Sequence, residues 1–331
     1  MTTTPIYSSP GKFRQLRPIL MASVLYGLLA GGLYFWLASH SEQTLAQRKA
    51  ALPSIEVKIT APGSNAETAE TIEQETMPSV PPAAVFHVPE GMSRIALVVT
   101  DMGLSDKATE KAVLDLPSEI TLSFSAYAER LPFWLEQSHN ARHETLLAVP
   151  MEPQTFPKDD PGPKALMARN SIEENMETLH EIMDQGQGYI GMSNFMGSRF
   201  MADAKKLRPL FQYLKDIGML FFDTTPDIST ATLENVSDTR VNFLKGDVTL
   251  DKIPTDIAIR DNLRQLEAIA TKQGYAVGMA SAYPVTFTAI AEWLPTLKSK
   301  NIVLTPISAV AAYAREQEQQ EKNEQSSTGQ P

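Results

Sequence analysis

The chain lacks cysteine and has few histidines or basic residues. Its 331 residues include no cysteine and five histidines. Disulfides and thiolate metal sites are therefore excluded. The 39 acidic residues outnumber the 29 basic ones and give a net charge of −10. No basic face is available to neutralise phosphates, so we expect no nucleic-acid partner. Glycine-rich phosphate loops are absent too.

One apolar run, residues 19–39, is long enough to cross a membrane. A helix of that length spans roughly 31 Å, close to the thickness of a bilayer core. Lys12, Arg14 and Arg17 precede it, whereas the segment after it is net acidic. By the positive-inside rule, residues 1–18 stay in the cytoplasm. The sequence thus predicts a single-pass anchor in the inner (plasma) membrane, with the bulk of the chain on the periplasmic side. A cleaved signal peptide is the alternative, although its apolar region is usually shorter.

The rest of the chain divides into three segments that differ in composition. Residues 40–92 are rich in proline and glutamate and keep no regular period, which predicts a disordered tether. Residues 315–331 are rich in Gln and Glu, and we expect a solvated, disordered tail. Residues 93–314 carry the pattern of a folded domain.

Within 93–314, short apolar runs alternate with amphipathic segments. Strands are predicted over 95–100, 120–125, 145–149, 188–192, 219–222, 241–244, 275–279 and 302–306, and helices over 171–184, 203–217, 254–273 and 285–299. Ser171 and Glu174 form a capping box, and Gly218 and Gly274 follow two helix ends. The alternation predicts parallel strands with helical crossovers, an α/β fold. The number of units favours a small β/α barrel over an open sheet.

Functional groups of such barrels lie at the carboxyl ends of the strands. The polar residues at these ends are Thr100, Asp101, Ser125, Glu152, Ser193, Asn194, Asp223, Thr224, Ser281 and Tyr283. The stretch 189–200 draws most attention. Its strand breaks into Ser193 and Asn194, followed by a turn with Ser198 and Arg199, and Phe195 is an aromatic residue among these polar ones.

Several of these candidates have plain structural alternatives. Asp101 could bind a metal or act as a catalytic base, or it could cap the next helix. Asp223 precedes Pro226 and could set up an Asx turn. Glu152 lies in a stiff proline loop, which suits a site residue or an exposed one equally.

Histidine-based chemistry finds little support. His143-Glu144 lacks the second histidine of a zincin, since Leu147 occupies that position. His139 and His180 fall on predicted surface helices. With no histidine at a strand end, a His-ligated zinc site is hard to build. No serine triad is apparent, because Ser193 and Ser198 have no histidine nearby in sequence.

The junction segments, taken in order, resemble the divergent polysaccharide deacetylase family. They are IALVVTDMG at 95–103, ITLSF at 120–124, VPMEP at 149–153, DPGP at 160–163, NFMGSR at 194–199, LFFD at 220–223 and LTPIS at 304–308. The resemblance covers about residues 93–312. It implies a distorted β/α barrel acting on glycans outside the cytoplasm. In active relatives an Asp and two His hold a divalent metal, commonly zinc, which activates water for attack on an acetyl group.

This chain departs from the family where the metal would bind. Thr100 replaces the first Asp of an Asp-Asp pair, while Asp101 remains. Ala148 and Phe195 stand at histidine positions, and segment 280–284 lacks the histidine of a Gly-His-Pro pattern. One carboxylate cannot hold zinc at useful occupancy, so we expect no metal site and no cofactor. An all-oxygen site from Asp101, Glu152, Asn194 and Asp223 is a further alternative.

The sequence therefore predicts a membrane-anchored family member with degenerate metal chemistry that binds a cell-envelope glycan. Asp101, Asn194, Ser198, Arg199 and Tyr283 would line the sugar-binding groove, with Phe195 or Tyr283 stacking on a ring. The alternatives are an active deacetylase with a rearranged site, in which Asp101 is catalytic, and a protein-interaction module.

Overall fold

The computed structural model describes residue 86 and residues 88–328, all of which belong to one compact unit. The predicted segments 1–18 and 19–39, and nearly all of 40–92, lie outside this range. Among the helices it includes, none is both long and apolar enough to span a bilayer.

Strands and helices alternate as predicted. They are β1 Ser93–Met102, α1 Asp106–Asp115, β2 Thr121–Ser125, α2 Leu131–Asn140, β3 Thr145–Met151, α3 Ile172–Met183, β4 Gly191–Met196, α4 Ala204–Asp216, β5 Leu220–Asp223, α5 Thr230–Thr239, β6 Asn242–Lys245, β7 Val248–Thr249, α6 Asp256–Gln273, β8 Tyr275–Ala280, α7 Pro284–Trp293, β9 Ile302–Leu304 and α8 Ile307–Thr328. The predicted capping box at Ser171 and Glu174 is confirmed.

The strands form one parallel sheet in the order β6-β5-β4-β3-β2-β1-β8-β7. β1 occupies the middle. One of its edges pairs with β8, and the other pairs first with β9 and then with β2. A register shift between Val99 and Met102 marks the end of its pairing with β2.

The two outermost strands, β6 and β7, are consecutive in the chain and separated by Gly246 and Asp247. The Gly246 amide donates to the Asp223 carbonyl at 2.9 Å, and the Asp247 amide donates to the Val277 carbonyl at 2.8 Å. Adjacent residues therefore bond to β5 on one side and β8 on the other. Because two residues cannot span an open sheet, the sheet must curl, which confirms the predicted α/β barrel-type fold.

Side chains alternate between the two faces of the curled sheet. The inward residues pack with the start of α8 in one cluster of Ala96, Val98, Leu146, Leu220, Phe222, Leu244, Val277, Met279, Ile307, Val310, Ala311 and Ala314. The outward residues, such as Leu97 and Phe124, pack beneath the surrounding helices. The Ile307 amide donates to Thr121 Oγ1 at the start of β2. Helix α8 therefore fills the barrel at the end where the strands begin.

The structure differs from the sequence prediction in several elements. Helix α8 continues to Thr328 through most of the segment predicted to be disordered, although its side chains are largely exposed up to residue 324. Its Glu, Gln and Arg residues propagate a helix that the buried first turns nucleate. Strand β4 begins at Gly191 rather than 188, since Gly188 has a φ of +94°. The bounds of helices α1, α2 and α5 were not predicted from the sequence, and strand β7 was not predicted.

Candidate functional site

A pocket of about 270 Å³ opens where the strands end. Its lining residues are Thr100, Asp101, Leu104, Ser123, Ser125, Tyr127, Ala148, Ser193, Asn194, Phe195, Met196, Thr224, Thr249, Met279, Ala280 and Ser281. They come from the ends of β1 to β5, β7 and β8. Since α8 fills the opposite end, the barrel interior is open to ligands on this side.

Seven of the sixteen residues that line the pocket carry small hydroxyl side chains. They belong to Thr100, Ser123, Ser125, Ser193, Thr224, Thr249 and Ser281. In β1 the inward residues Ala96 and Val98 belong to the barrel core, and Thr100 is the next inward position. The same step leads from Phe222 to Thr224. These strands thus change from apolar to hydroxyl side chains at one level, which leaves a cup of mixed hydroxyl and apolar side chains above the apolar core.

Asp101 places a carboxylate in this cup. Its backbone is left-handed, with a φ of 62°, and it falls within the register shift at the end of β1. The Thr100 hydroxyl donates to Asp101 Oδ2 at 3.3 Å. Burial in the pocket raises the pKa of the Asp101 carboxyl, and the Thr100 hydrogen bond partly opposes this shift. Although the residue as a whole is exposed, its carboxylate is partly desolvated.

A second left-handed residue lines the same pocket. Met196 at the end of β4 has a φ of 61°, and Gly197 follows with a φ of 95°. Left-handed backbone is costly for residues other than glycine, and such strain tends to collect at functional sites. Asp101 and Met196 therefore mark this pocket as the candidate site independently of its side-chain chemistry.

Asn194 fixes the backbone at the strand ends. Its Nδ2 donates to the Met196 carbonyl at 2.7 Å, which spans the left-handed turn. Its Oδ1 accepts from the Thr224 amide, and its carbonyl accepts from the Thr224 hydroxyl, both at 2.8 Å. The predicted site residue Asn194 thus reaches the pocket, and its hydrogen bonds hold the ends of β4 and β5 together.

Five predicted site residues do not line this pocket: Glu152, Ser198, Arg199, Asp223 and Tyr283. Glu152 Oε2 accepts from the Ala168 amide at 2.7 Å, and Oε1 lies 3.1 Å from Arg199 Nη1. Ser198 Oγ accepts from the Gln154 amide at 3.0 Å. These contacts tie the loop after β3 to the loop after β4.

Asp223 and Tyr283 also lie apart. Asp223 is fully buried on the outward face, and its Oδ1 accepts from the Thr225 amide and hydroxyl at 2.8 and 2.7 Å. This is the Asx turn that the sequence offered as the alternative to a site role for Asp223. Burial raises the pKa of its carboxyl, and among the residues that the structure describes Oδ2 has no hydrogen-bond partner. Tyr283 is 46% exposed just before α7. A ligand contact for any of the five remains a prediction.

Sequence reasoning missed Tyr127, which lines the pocket from the loop after β2. Its hydroxyl donates to the Pro161 carbonyl at 2.9 Å and accepts from the Lys164 amide at 3.1 Å. At Gly162 a Cβ would lie 2.4 Å from the Tyr127 hydroxyl oxygen. The DPGP segment therefore holds Tyr127 in place. The DPGP segment was one of those that carried the family resemblance, and this was the signal available in the sequence. The sequence did not show that Tyr127 is the residue it contacts.

Histidine and carboxylate clusters are not part of the pocket. His143 is buried, with Nδ1 2.7 Å from the Ile120 carbonyl and Nε2 3.2 Å from the Val113 carbonyl. Among the residues that the structure describes, no three His, Cys, Asp or Glu side chains lie close enough together to hold a metal ion.

The fold and the pocket define a parallel α/β barrel domain with a hydroxyl-lined site at the carboxyl ends of its strands. The family model for divergent polysaccharide deacetylases matches residues 97–311. The chain belongs to this family, which confirms the resemblance drawn from the junction segments.

Two relatives illustrate the match. An uncharacterized protein of Agrobacterium tumefaciens C58, known from a crystal structure, is 33% identical with a TM-score of 0.64, over 66% of this chain and 89% of that one. The uncharacterized protein YibQ of Escherichia coli K12 is 23% identical over 193 residues, 58% of this chain. The match spans 60% of YibQ's length.

Proposed function

We propose that the protein binds a cell-envelope glycan in the barrel pocket and serves as an accessory rather than a zinc enzyme. Family membership supports a carbohydrate-related, deacetylase-like function. The proposal further takes residues 19–39 as a membrane anchor, with the barrel on the periplasmic side.

The observation that carries the proposal is that Asp101, Ala148 and Phe195 line the same pocket. These are the positions at which the resemblance places an Asp and two metal-binding His. A methyl group and a phenyl ring offer no lone pair, so Asp101 is left without nitrogen donors. Zinc needs three or four converging donors, and this set does not fit it.

The same pocket has features that suit a sugar ring. Phe195 is 38% exposed at its mouth, and Tyr127 adds a second aromatic face. The hydroxyl wall supplies both donors and acceptors, which is what a sugar presents in return. An aromatic face combined with a few fixed polar groups is the usual recipe for a small-molecule pocket.

The test is glycan binding by the full chain purified in detergent, measured by titration calorimetry against acetylated envelope oligosaccharides. Phe195→Ala should weaken binding about 10-fold, the equivalent of a lost aromatic contact of roughly 1.4 kcal/mol. Phe133→Ala is the matched control, since Phe133 is 39% exposed on α2, outside the pocket. Stoichiometric zinc together with acetate release would contradict the proposal.

An active deacetylase with a rearranged site is the second candidate, and Asp101 is the observation in its favour. A strained carboxylate with a raised pKa in a pocket is suited to acting as a general base. This reading requires acetate release that Asp101→Asn abolishes while glycan affinity is retained.

The anchor is tested separately by cell fractionation. The full chain should stay with membranes through alkaline extraction, whereas a chain lacking residues 1–39 should not. Release of the full-length barrel into the soluble periplasm would favour a cleaved signal peptide instead.

A further inference from the structure

A second cavity lies beside the pocket and differs from it in charge. It is open, has a volume of about 560 Å³, and is lined by Ala168, Arg169, Arg199, Ala202, Asp203, Ala204 and Lys205. Three of these seven residues are cationic and one is anionic. In a chain with a net charge of −10, such a concentration of positive charge around one cavity runs against the overall balance.

The anionic member is already engaged. Asp203 caps α4, where its Oδ1 accepts from the Lys205 and Lys206 amides at 3.0 and 3.2 Å. The Lys205 and Lys206 amides are therefore satisfied within the chain and offer nothing to a ligand. Any attraction for an anion comes from the side chains of the cavity wall.

The three cationic side chains of the cavity differ in the contacts they make. Arg199 Nη1 lies 3.1 Å from the buried Glu152 carboxylate, which holds the guanidinium in place. Arg169 lies over the Phe156 ring, 5.6 Å from its centroid. Within the described part of the chain, neither Arg169 nor Lys205 has a carboxylate partner. Two exposed positive charges thus remain free to meet an anion from solution.

The cavity and the hydroxyl-lined pocket are both lined in part by one chain segment, the end of β4 and the loop that follows it. Met196 lines the pocket and Arg199 lines the cavity, so their Cα atoms lie at most about 11 Å apart. The cavity is formed by the loops after β3 and β4 and the first turn of α4, at the same carboxyl end of the sheet as the pocket. A glycan chain with one sugar in the pocket can therefore extend across this cavity.

We propose that the cavity around Arg169, Arg199 and Lys205 is a subsite for a carboxylate or phosphate group on the bound glycan. This rests on the proposed glycan-binding function and deepens it by naming an acidic glycan as the ligand class. Guanidinium groups bind planar oxyanions through paired hydrogen bonds, and Lys205 adds a point charge. The pocket would then recognise a sugar ring and the cavity its charged substituent.

The test compares two β-1,4-linked tetrasaccharides. One contains N-acetylglucosamine alone, and the other alternates it with N-acetylmuramic acid, which adds lactyl carboxylates. The full-length protein should bind the acidic tetrasaccharide about 10-fold more tightly at low salt, an advantage that high salt removes. In Arg169→Gln/Lys205→Gln this advantage should vanish while affinity for the neutral tetrasaccharide is unchanged. Arg199 is left intact, because its removal would strand the buried Glu152.

Lys298→Gln is the control, since Lys298 is an exposed cation far from the cavity, before β9. It should bind both tetrasaccharides as the unaltered chain does. Displacement of the acidic glycan by inorganic phosphate, lost in the double variant, extends the ligand class to phosphorylated glycans. Equal affinity for the two tetrasaccharides would overturn the subsite alone. No binding of either one would contradict the glycan-binding function as well.

Discussion

The hydroxyl oxygens of Ser123 and Ser193 lie 2.8 Å apart, although the residues are 70 positions apart in sequence. Ser123 belongs to β2 and Ser193 to β4, so the hydrogen bond passes across the inner face of β3. Both residues are fully buried and line the pocket. The bond exists because the sheet is curled, which brings inward residues of non-adjacent strands into contact.

This pair should behave as a unit in stability measurements. Ser123→Ala or Ser193→Ala alone leaves one buried hydroxyl without its partner and should cost about 1–2 kcal/mol. The double variant removes both groups and should cost clearly less than the sum of the two singles. Denaturant unfolding of all four proteins gives the coupling energy. Additive losses would show that the bond does not exist in solution.

The Asp101 carboxyl should lower stability at neutral pH. Burial raises its pKa in the folded state above the ordinary value of 3.8. Between the ordinary and the raised value the folded state binds more protons than the unfolded one, so stability falls as pH rises through this window. Asp101→Asn, which stays neutral and tolerates a φ of 62°, should therefore be more stable than the unaltered protein at pH 7.

The pH dependence separates charge from other effects. The stability gain of Asp101→Asn should be near zero below the ordinary carboxyl pKa and should level off once Asp101 is ionised in the folded state. Thermal unfolding across this pH range measures it. Asp101→Ala is the contrasting variant, because alanine is strained in the left-handed region. A gain that is constant with pH would refute the electrostatic account.

Gly103 should be intolerant of any side chain. Its φ is 83°, and a Cβ there would lie 2.4 Å from Ala128 Cβ. Gly218 has a similar φ of 74°, and a Cβ there would meet no atom within 4 Å. A substitution at Gly218 therefore measures the cost of backbone strain alone. Gly218→Ala should cost about 1 kcal/mol, and Gly103→Ala roughly 1–3 kcal/mol more because of overpacking. Equal losses in denaturant unfolding would show that the loop at Ala128 gives way freely.

Returning histidine to the pocket should create a zinc site. Ala148→His/Phe195→His would place two imidazoles beside Asp101, which gives the three protein ligands that zinc requires. We expect about one zinc per chain after dialysis against a zinc buffer, measured by elemental analysis, against background levels for the unaltered protein. Adding Asp101→Asn should reduce the occupancy. Background zinc in the double variant would mean that these positions do not converge as the resemblance implies.

The parts of the site that could be predicted were those tied to a strand end. Asp101, Ser193, Asn194 and Phe195 follow or end apolar runs, and parallel strands bring such ends to one edge whatever their order. Asp223 satisfied the same rule, but its side chain faces outward. A polar residue at the end of a strand predicts a position at the carboxyl end of the barrel. Whether its side chain points inward or outward depends on the register of the strand, and a shift of one residue reverses it.

Other features depended on partners that are distant in sequence. Tyr127 is held by the DPGP segment, and Arg169 shares a cavity with Lys205 because the loop before α3 lies against the start of α4. Helix α1 buries just Thr109, Ala112 and Val113, so its periodicity is too weak to give its bounds from the sequence. The Glu/Gln-rich end of α8 has a disordered composition, and it is helical because its first turns are buried in the barrel.

By itself the sequence determined the α/β class, the family, the capping box at Ser171 and the loss of histidine from the matched positions. These depend on local patterns and residue identity, which need no coordinates. Tertiary structure alone decided that Asp101, Ala148 and Phe195 share one pocket and that Arg199, paired with the buried Glu152, lines a neighbouring cavity. The reason is that closure of the sheet, through the two residues between β6 and β7, sets which side chains meet across it.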